Sequence, residues 1–282
     1  MGNNTTPKCQ CLECNNIGKY ALPVRRRGGN NAYVCEYHKN ALDSYFKKNN
    51  NFQGKPKKHG DTFGIEFETD SATLQGRIEM LLQGFIPTND PSIRGPEFKS
   101  CIMYGTSTIK AFMPSIDDMM NNGDIGIDFE DNGTHLHIGN IYHLNSCTMS
   151  YIRRFYHSLF VPLSDDMRNN PEKVKRIYGR NFTYYAQHIS STSSATEHEN
   201  FINTQHENTL EFRLCQYHNA TQYGYCIDFN RKLADIVFNT FCVKVEEMGL
   251  IEDATLTEEQ KRELKRTAQK TAAKLVKEFE KA

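Results

Sequence analysis

Three short segments of this 282-residue chain place acids, imidazoles and a guanidinium on alternate positions: Gly64-Ile65-Glu66-Phe67-Glu68-Thr69, Gly133-Thr134-His135-Leu136-His137-Ile138-Gly139 and Thr209-Leu210-Glu211-Phe212-Arg213-Leu214. Successive side chains of a strand point to opposite faces. Glu66 and Glu68 therefore share a face, as do His135 and His137, and Glu211 and Arg213. The opposite faces carry Ile65/Phe67, Leu136/Ile138 and Leu210/Phe212/Leu214, which suit a core. Collected on one sheet in a common orientation, the polar faces would gather carboxylates, imidazoles and a guanidinium. Uncompensated carboxylates in a cleft repel one another and resist desolvation. Divalent cations relieve both, and oxygen and imidazole donors suit them. An anion beside Arg213 would complete the charge balance.

The three segments resemble the signature strands of the amidoligase family, ATP-dependent carboxylate–amine ligases with a fold similar to glutamine synthetase. The family reads G-[IV]-E-x-E, H-x-H and E-[FL]-R in that order; here the strands are GIEFE, HLH and EFR. A fourth segment, Asn89-Asp90-Pro91-Ser92-Ile93 followed by Gly95-Pro96-Glu97-Phe98-Lys99-Ser100, is similar to the family's D-G-S…E-[IV]-x-S stretch. It departs from that pattern at Pro91, where Gly is usual, and at Cys101, where Pro commonly follows the Ser. Tyr178-Gly179-Arg180-Asn181 with Tyr184-Tyr185-Ala186 is similar to an R-x-N-x-Y-A region.

The resemblance covers about residues 60 to 245. It implies an α+β fold, a mainly antiparallel sheet with helices packed on one face. It also implies ATP and magnesium as cofactors. Glu66, Glu68, Glu211 and His135 would hold magnesium, and His137 would orient substrate or bind phosphate. Arg213 would stabilise the transferring phosphoryl group, and Arg180 would anchor a carboxylate or phosphate. Glu97 and Ser100 would lie near the acceptor carboxylate or the amine. No G-x-x-x-x-G-K-[ST] loop is present, which argues against a P-loop route.

Forming an amide from a carboxylate is uphill in water. Phosphorylation by ATP converts the carboxylate into an acyl-phosphate, whose phosphate an amine then displaces. Phosphoryl transfer needs positioning and charge neutralisation more than covalent help. The reading is thus an ATP- and magnesium-dependent ligase making an amide or isopeptide bond, its substrates a carboxylate and an amine on free amino acids, peptides or proteins. Two alternatives stay open: a metal-dependent hydrolase whose His and Glu faces activate water, and a non-catalytic scaffold that recruits partners through its N-terminus.

That N-terminus, residues 1–50, has Cys11-x2-Cys14 and Cys35-x2-His38 as two pairs that can present four ligands to one tetrahedral structural zinc, with Cys9 a spare thiol in an alternative register. The segment between the pairs reads as a hairpin around a Gly/Asn turn, a layout that looks like a zinc ribbon. Residues 1–60 hold 11 Lys/Arg against 3 Asp/Glu, a net +8, while the rest holds 23 against 31, a net −8. The basic part is either a differently charged module or a surface for nucleic acid or an acidic partner protein. A linker at 51–60 follows, then a catalytic domain at 61–250 and a C-terminal helix at 251–282. The odd count of nine cysteines and the absence of a greasy leader or a membrane-length apolar run fit a cytoplasmic protein that does not enter a membrane.

Several elements must position these residues. Ser71 is expected to cap a helix through Leu74, Ile78 and Leu81 that closes at Gly84. Strands are expected near 97–103 and 108–113, and a short helix around 115–121. Residues 146–161 read as one amphipathic helix, with Arg153 and Arg154 off its apolar stripe and solvated. Residues 164–205 read as a long polar loop, and 221–248 as a helix ending at Gly249. Thr257-x-x-Gln260 is a capping box for the last helix. Its thin stripe of Leu264, Ala268, Leu275 and Phe279 would pack on the domain or on a second copy in a homo-oligomer.

Overall fold

The structure, a computed structural model, describes residues 8–9, 14–25, 31–40, 61–88, 90, 92–100, 102–130, 132–140, 142–252 and 254–282. Cys11, the linker at 51–60, Asn89, Pro91 and Cys101 lie outside the described residues. The chain mixes helices with antiparallel strands and divides into two compact units, residues 1–57 with 63–134, and 58–62 with 135–282.

In the first unit β1 (Tyr20–Arg25) pairs antiparallel with β2 (Asn31–Val34), as the hairpin reading expects. After β3 (Asp61–Glu68) come β4 (Ser71–Ala72), α1 (Leu74–Leu82), β5 (Phe85–Thr88), β6 (Glu97–Ser100) and β7 (Met103–Tyr104). β6 pairs antiparallel with both β3 and β5, setting Glu66 opposite Lys99 and Glu68 opposite Glu97. Alternation does what the sequence requires: Phe63, Ile65, Phe67 and Phe98 are buried, while Glu66 and Glu68 stay half-buried on the other face.

The helix cap is Thr73 rather than Ser71. Its side chain accepts from the Gly76 amide and donates to Asp124, while Ser71 is drawn into a strand against β8 (Ile125–Gly126). Gly76 is required there, because a Cβ would stand 2.2 Å from the Asp124 carbonyl oxygen. The strand expected at 108–113 is instead α2 (Thr106–Lys110) and the start of α3 (Met113–Asn121), the short helix expected at 115–121. Ile109, Phe112, Met113 and Ile116 recur at three- and four-residue spacing and are all buried, so the helical period wins over β propensity.

In the second unit β9 (Thr134–Asn140, whose first residue belongs to the first unit) is followed by α4 (Ser146–Arg154), α5 (Tyr156–Asn169) and α6 (Pro171–Tyr178). The single helix expected at 146–161 breaks at Phe155, and the polar loop expected from 164 is helical to 178. Leu163, Met167, Val174 and Ile177 bury one stripe; the intervening Asp, Asn, Glu and Lys residues are its solvent side. Next come β10 (Ile202–Asn203) and β11 (Leu210–Phe212), the latter antiparallel to both β10 and β9. α7 (Ala220–Ile236) runs through a π-helical stretch at Val237–Cys242 into α8 (Val243–Glu247), and the chain turns at Gly249, φ 60°. α9 (Glu258–Lys281) starts at the expected Thr257/Gln260 capping box and packs chiefly on α5, burying Leu264, Ala268, Leu275 and Phe279. Among the described residues no helix is long and apolar enough to cross a membrane.

Candidate functional site

The second unit centres its chemistry on Glu211, 1% exposed. Strand register places Glu211 between Asn203 on β10 and His137 on β9. Asn203 donates its Nδ2 to Glu211 Oε2 at 2.6 Å, and its own Oδ1 accepts from the Gln205 amide at 2.9 Å. That local Asx bond turns the chain after β10. The turn returns His206, whose Nε2 lies 3.0 Å from Glu211 Oε2 and whose ring stands edge-on to His137, centroids 4.8 Å apart. The other oxygen, Oε1, meets Arg213 Nη1 at 2.6 Å and His135 Nδ1 at 3.3 Å.

Burial alone would raise the Glu211 carboxyl. The His206 hydrogen bond and the charge of His137, Arg213 and His135 outweigh it and hold the group well below the usual carboxylate range. Burial and the Arg213 charge push the His198 imidazole, 3.3 Å from Arg213 Nη1, the other way, towards its neutral form.

Arg213 is fixed from several sides. Its Nε donates to the Tyr185 carbonyl at 3.2 Å, and the buried Arg180 donates to the carbonyls of Arg213 and Leu214 at 3.0 and 3.3 Å. Arg180, expected as an anchor for substrate, thus grips main chain behind Arg213. Arg153 is not simply solvated: from α4 it donates to the carbonyls of Thr204, Gln205 and His206 and holds the loop that carries His206.

His137, His206 and Glu211 offer ligand atoms within 4.8 Å of one another. His206 is 43% exposed in its side chain, so the cluster opens to solvent there. His206, Asn203 and His198 were not singled out from sequence. His206 sits in a Gln-His-Glu-Asn turn without strand alternation, and only the closeness of Asn203 to Leu210 hints that the turn folds back onto Glu211.

The first unit assembles a different group. Lys99 Nζ lies 2.7 Å from Glu66 Oε1 and 2.9 Å from Glu97 Oε2, with Thr88 also donating to Glu97 Oε2 at 3.2 Å. Burial would lower the Lys99 ammonium, but Glu66 and Glu97 prevail and hold it above the ordinary lysine range. Of the carboxylates grouped from sequence, Glu66 is compensated by Lys99, which occupies the variable position between Glu97 and Ser100 in the fourth motif. Glu68 Oε2 accepts from the Gly133 amide at 2.5 Å. Ser100, expected near substrate, turns to the apolar face, where its hydroxyl accepts from the Ile65 amide at 2.8 Å. The N-terminal part of this unit gathers Cys9, Cys14, Cys35 and His38.

No protein-family model matches the chain, and no curated protein matches it. One solved structure it is similar to, described as "Crystal structure of novel glutamine synthase homolog", is 12% identical, covers 90% of this chain and 70% of its own, and superposes with a TM-score of 0.35. At that score the likeness carries no argument about function.

Proposed function

We propose that the chain is an ATP- and magnesium-dependent carboxylate–amine ligase working through an acyl-phosphate. The observation that carries this is a buried Glu211 joined to Arg213 at 2.6 Å and to His135 and His206 within 3.3 Å. A buried carboxylate with imidazoles around it suits a divalent cation, and an adjacent guanidinium suits a phosphoryl oxygen. The strand motifs add Glu66 and Glu68 to the magnesium ligands and Glu97 to the substrate side.

Magnesium, when bound, neutralises the nucleotide phosphates and the charge developing in transfer. The rest falls to this chain. Arg213, its position set by Arg180 and Tyr185, faces the γ-phosphoryl group. A substrate carboxylate oxygen attacks that phosphorus and the bond to ADP breaks. The amine then attacks the acyl carbon, phosphate leaves, and a proton is lost from the new amide nitrogen. That proton passes to solvent; His198 Nε2, 3.3 Å from Arg213 Nη1, accepts from the guanidinium and steadies it. Glu66 on magnesium would share its carboxylate with Lys99, so Lys99 tunes how strongly that acid binds the ion.

A second reading, a metal-dependent hydrolase, is favoured by one observation: His137, His206 and Glu211 are a two-imidazole, one-carboxylate set, which hydrolytic zinc sites use. Incubation with magnesium, labelled ATP and pooled amino acids and peptides separates the two. The ligase releases ADP and phosphate and gains product mass by condensation. A hydrolase turns over without ATP. AMP and pyrophosphate as main products would point to adenylation and reject the acyl-phosphate route.

A further inference from the structure

Outside the acidic strands, four donors meet at the N-terminus with the separations of a filled metal site. Cys35 Sγ and Cys9 Sγ each lie 3.3 Å from His38 Nδ1, and Cys14 Sγ lies 3.8 Å from Cys35 Sγ. All four ligand atoms fall within 4.8 Å of one another. Zinc bonds of about 2.3 Å to sulfur and about 2.0 Å to nitrogen make a tetrahedron with edges of about 3.8 Å between sulfurs and about 3.5 Å between sulfur and nitrogen. The observed separations fit those edges and exclude a disulfide, whose sulfurs stand about 2.05 Å apart.

The local chain is built to hold this geometry. The Cys9 amide donates to the Asn16 carbonyl at 2.8 Å, and Lys8 bridges Ile17. That brings Cys14 back beside Cys9. Gly18 lets the two backbones approach: a Cβ there would meet Tyr33 Cβ at 2.8 Å and the Lys8 carbonyl oxygen at 2.9 Å. Cys35 follows β2, residues 36–40 are helical, and the Lys39 amide closes on the Cys35 carbonyl at 2.9 Å, so His38 returns over Cys35. Asn16 Nδ2 approaches Cys35 Sγ at 3.9 Å as an outer donor that steadies the thiolate.

We infer that Cys9, Cys14, Cys35 and His38, the last through Nδ1, hold one zinc ion in a closed structural site. Thiolates with an imidazole select zinc over the hard magnesium ion. Four protein ligands leave no position for water or substrate, so the ion stabilises and does not catalyse. The need is physical. Among the described side chains of residues 8–40, Cys9, Val34 and Cys35 are the buried apolar ones, too few to hold a fold by themselves. The assignment takes Cys9 where the paired spacing of the sequence suggested Cys11, and it is independent of the ligase reading.

The test is zinc content of the full chain by elemental mass spectrometry, with single cysteine variants. About one zinc per chain is expected in the wild type and in Cys11→Ser, and a severalfold loss in Cys9→Ser. Cobalt loaded in place of zinc gives a second readout: thiolate charge-transfer bands in the wild type and Cys11→Ser, diminished in Cys9→Ser. His38→Cys, which keeps four ligands, retains the ion and guards against a loss caused by misfolding. A zinc-free wild type, or zinc lost from Cys11→Ser, overturns the assignment.

Discussion

Two strand faces of this molecule solve one problem differently. Around Glu66 the compensating charge is a flexible lysine shared with Glu97, with side chains 20–23% exposed for the Glu66–Lys99 pair. Around Glu211 it is a planar guanidinium plus imidazoles, and the carboxylate is sealed from solvent. A lysine ammonium is a mobile point charge that can yield to another cation; an arginine fork bonded from behind cannot. The first face is adjustable, the second is fixed in advance. Under the proposed ligase reading, a lysine that yields suits a cation arriving with the nucleotide, and a fixed fork suits a donor aimed in advance.

Breaking the fixed face should cost most. Glu211→Gln leaves the Arg213 guanidinium buried without its carboxylate and should lower stability by about 3–5 kcal/mol, read from chemical denaturation. Arg213→Lys keeps charge but loses the fork, and turnover should fall roughly 10²–10³-fold in a steady-state assay. Arg153→Met frees the carbonyls of residues 204–206 and lets His206 drift, which should weaken metal binding by about tenfold in a calorimetric titration, the scale of an outer-shell change. Glu66→Gln sharpens the contrast from the weak end. Lys99 keeps Glu97, so stability should change by less than about 1 kcal/mol while magnesium-dependent turnover drops. Equal destabilisation by Glu66→Gln and Glu211→Gln would erase the distinction between the faces.

Much of this site could be read before any coordinates, because strand alternation is local: Glu211 with Arg213, and His135 with His137, follow from a two-residue period. What alternation cannot carry is the partner supplied by another segment. Lys99 meets Glu66 only once β3 and β6 pair in register. His206 reaches Glu211 through an Asx turn whose signal is a single asparagine. Arg180, expected from the resemblance as a substrate anchor, and Arg153, expected to be solvated, both grip main-chain carbonyls, which their charge does not signal. A strand is expected at 108–113 and a loop from 164 where the chain is helical, because a short apolar run fits either period and polar residues hide a narrow buried stripe. Capping chemistry carried further: the Thr257 box stands where it was expected, and Thr73 replaced Ser71 because β4 claims the earlier residue.

The central claim is that Glu211 and Arg213 serve magnesium and a nucleotide triphosphate. Isothermal calorimetry of ATP into the wild-type chain, with and without magnesium, tests it most directly. Saturable, magnesium-dependent binding that disappears in Arg213→Met, a variant shown to be folded by circular dichroism, is the predicted result. No heat of binding in the wild type with magnesium, or binding unchanged in Arg213→Met, would contradict the account.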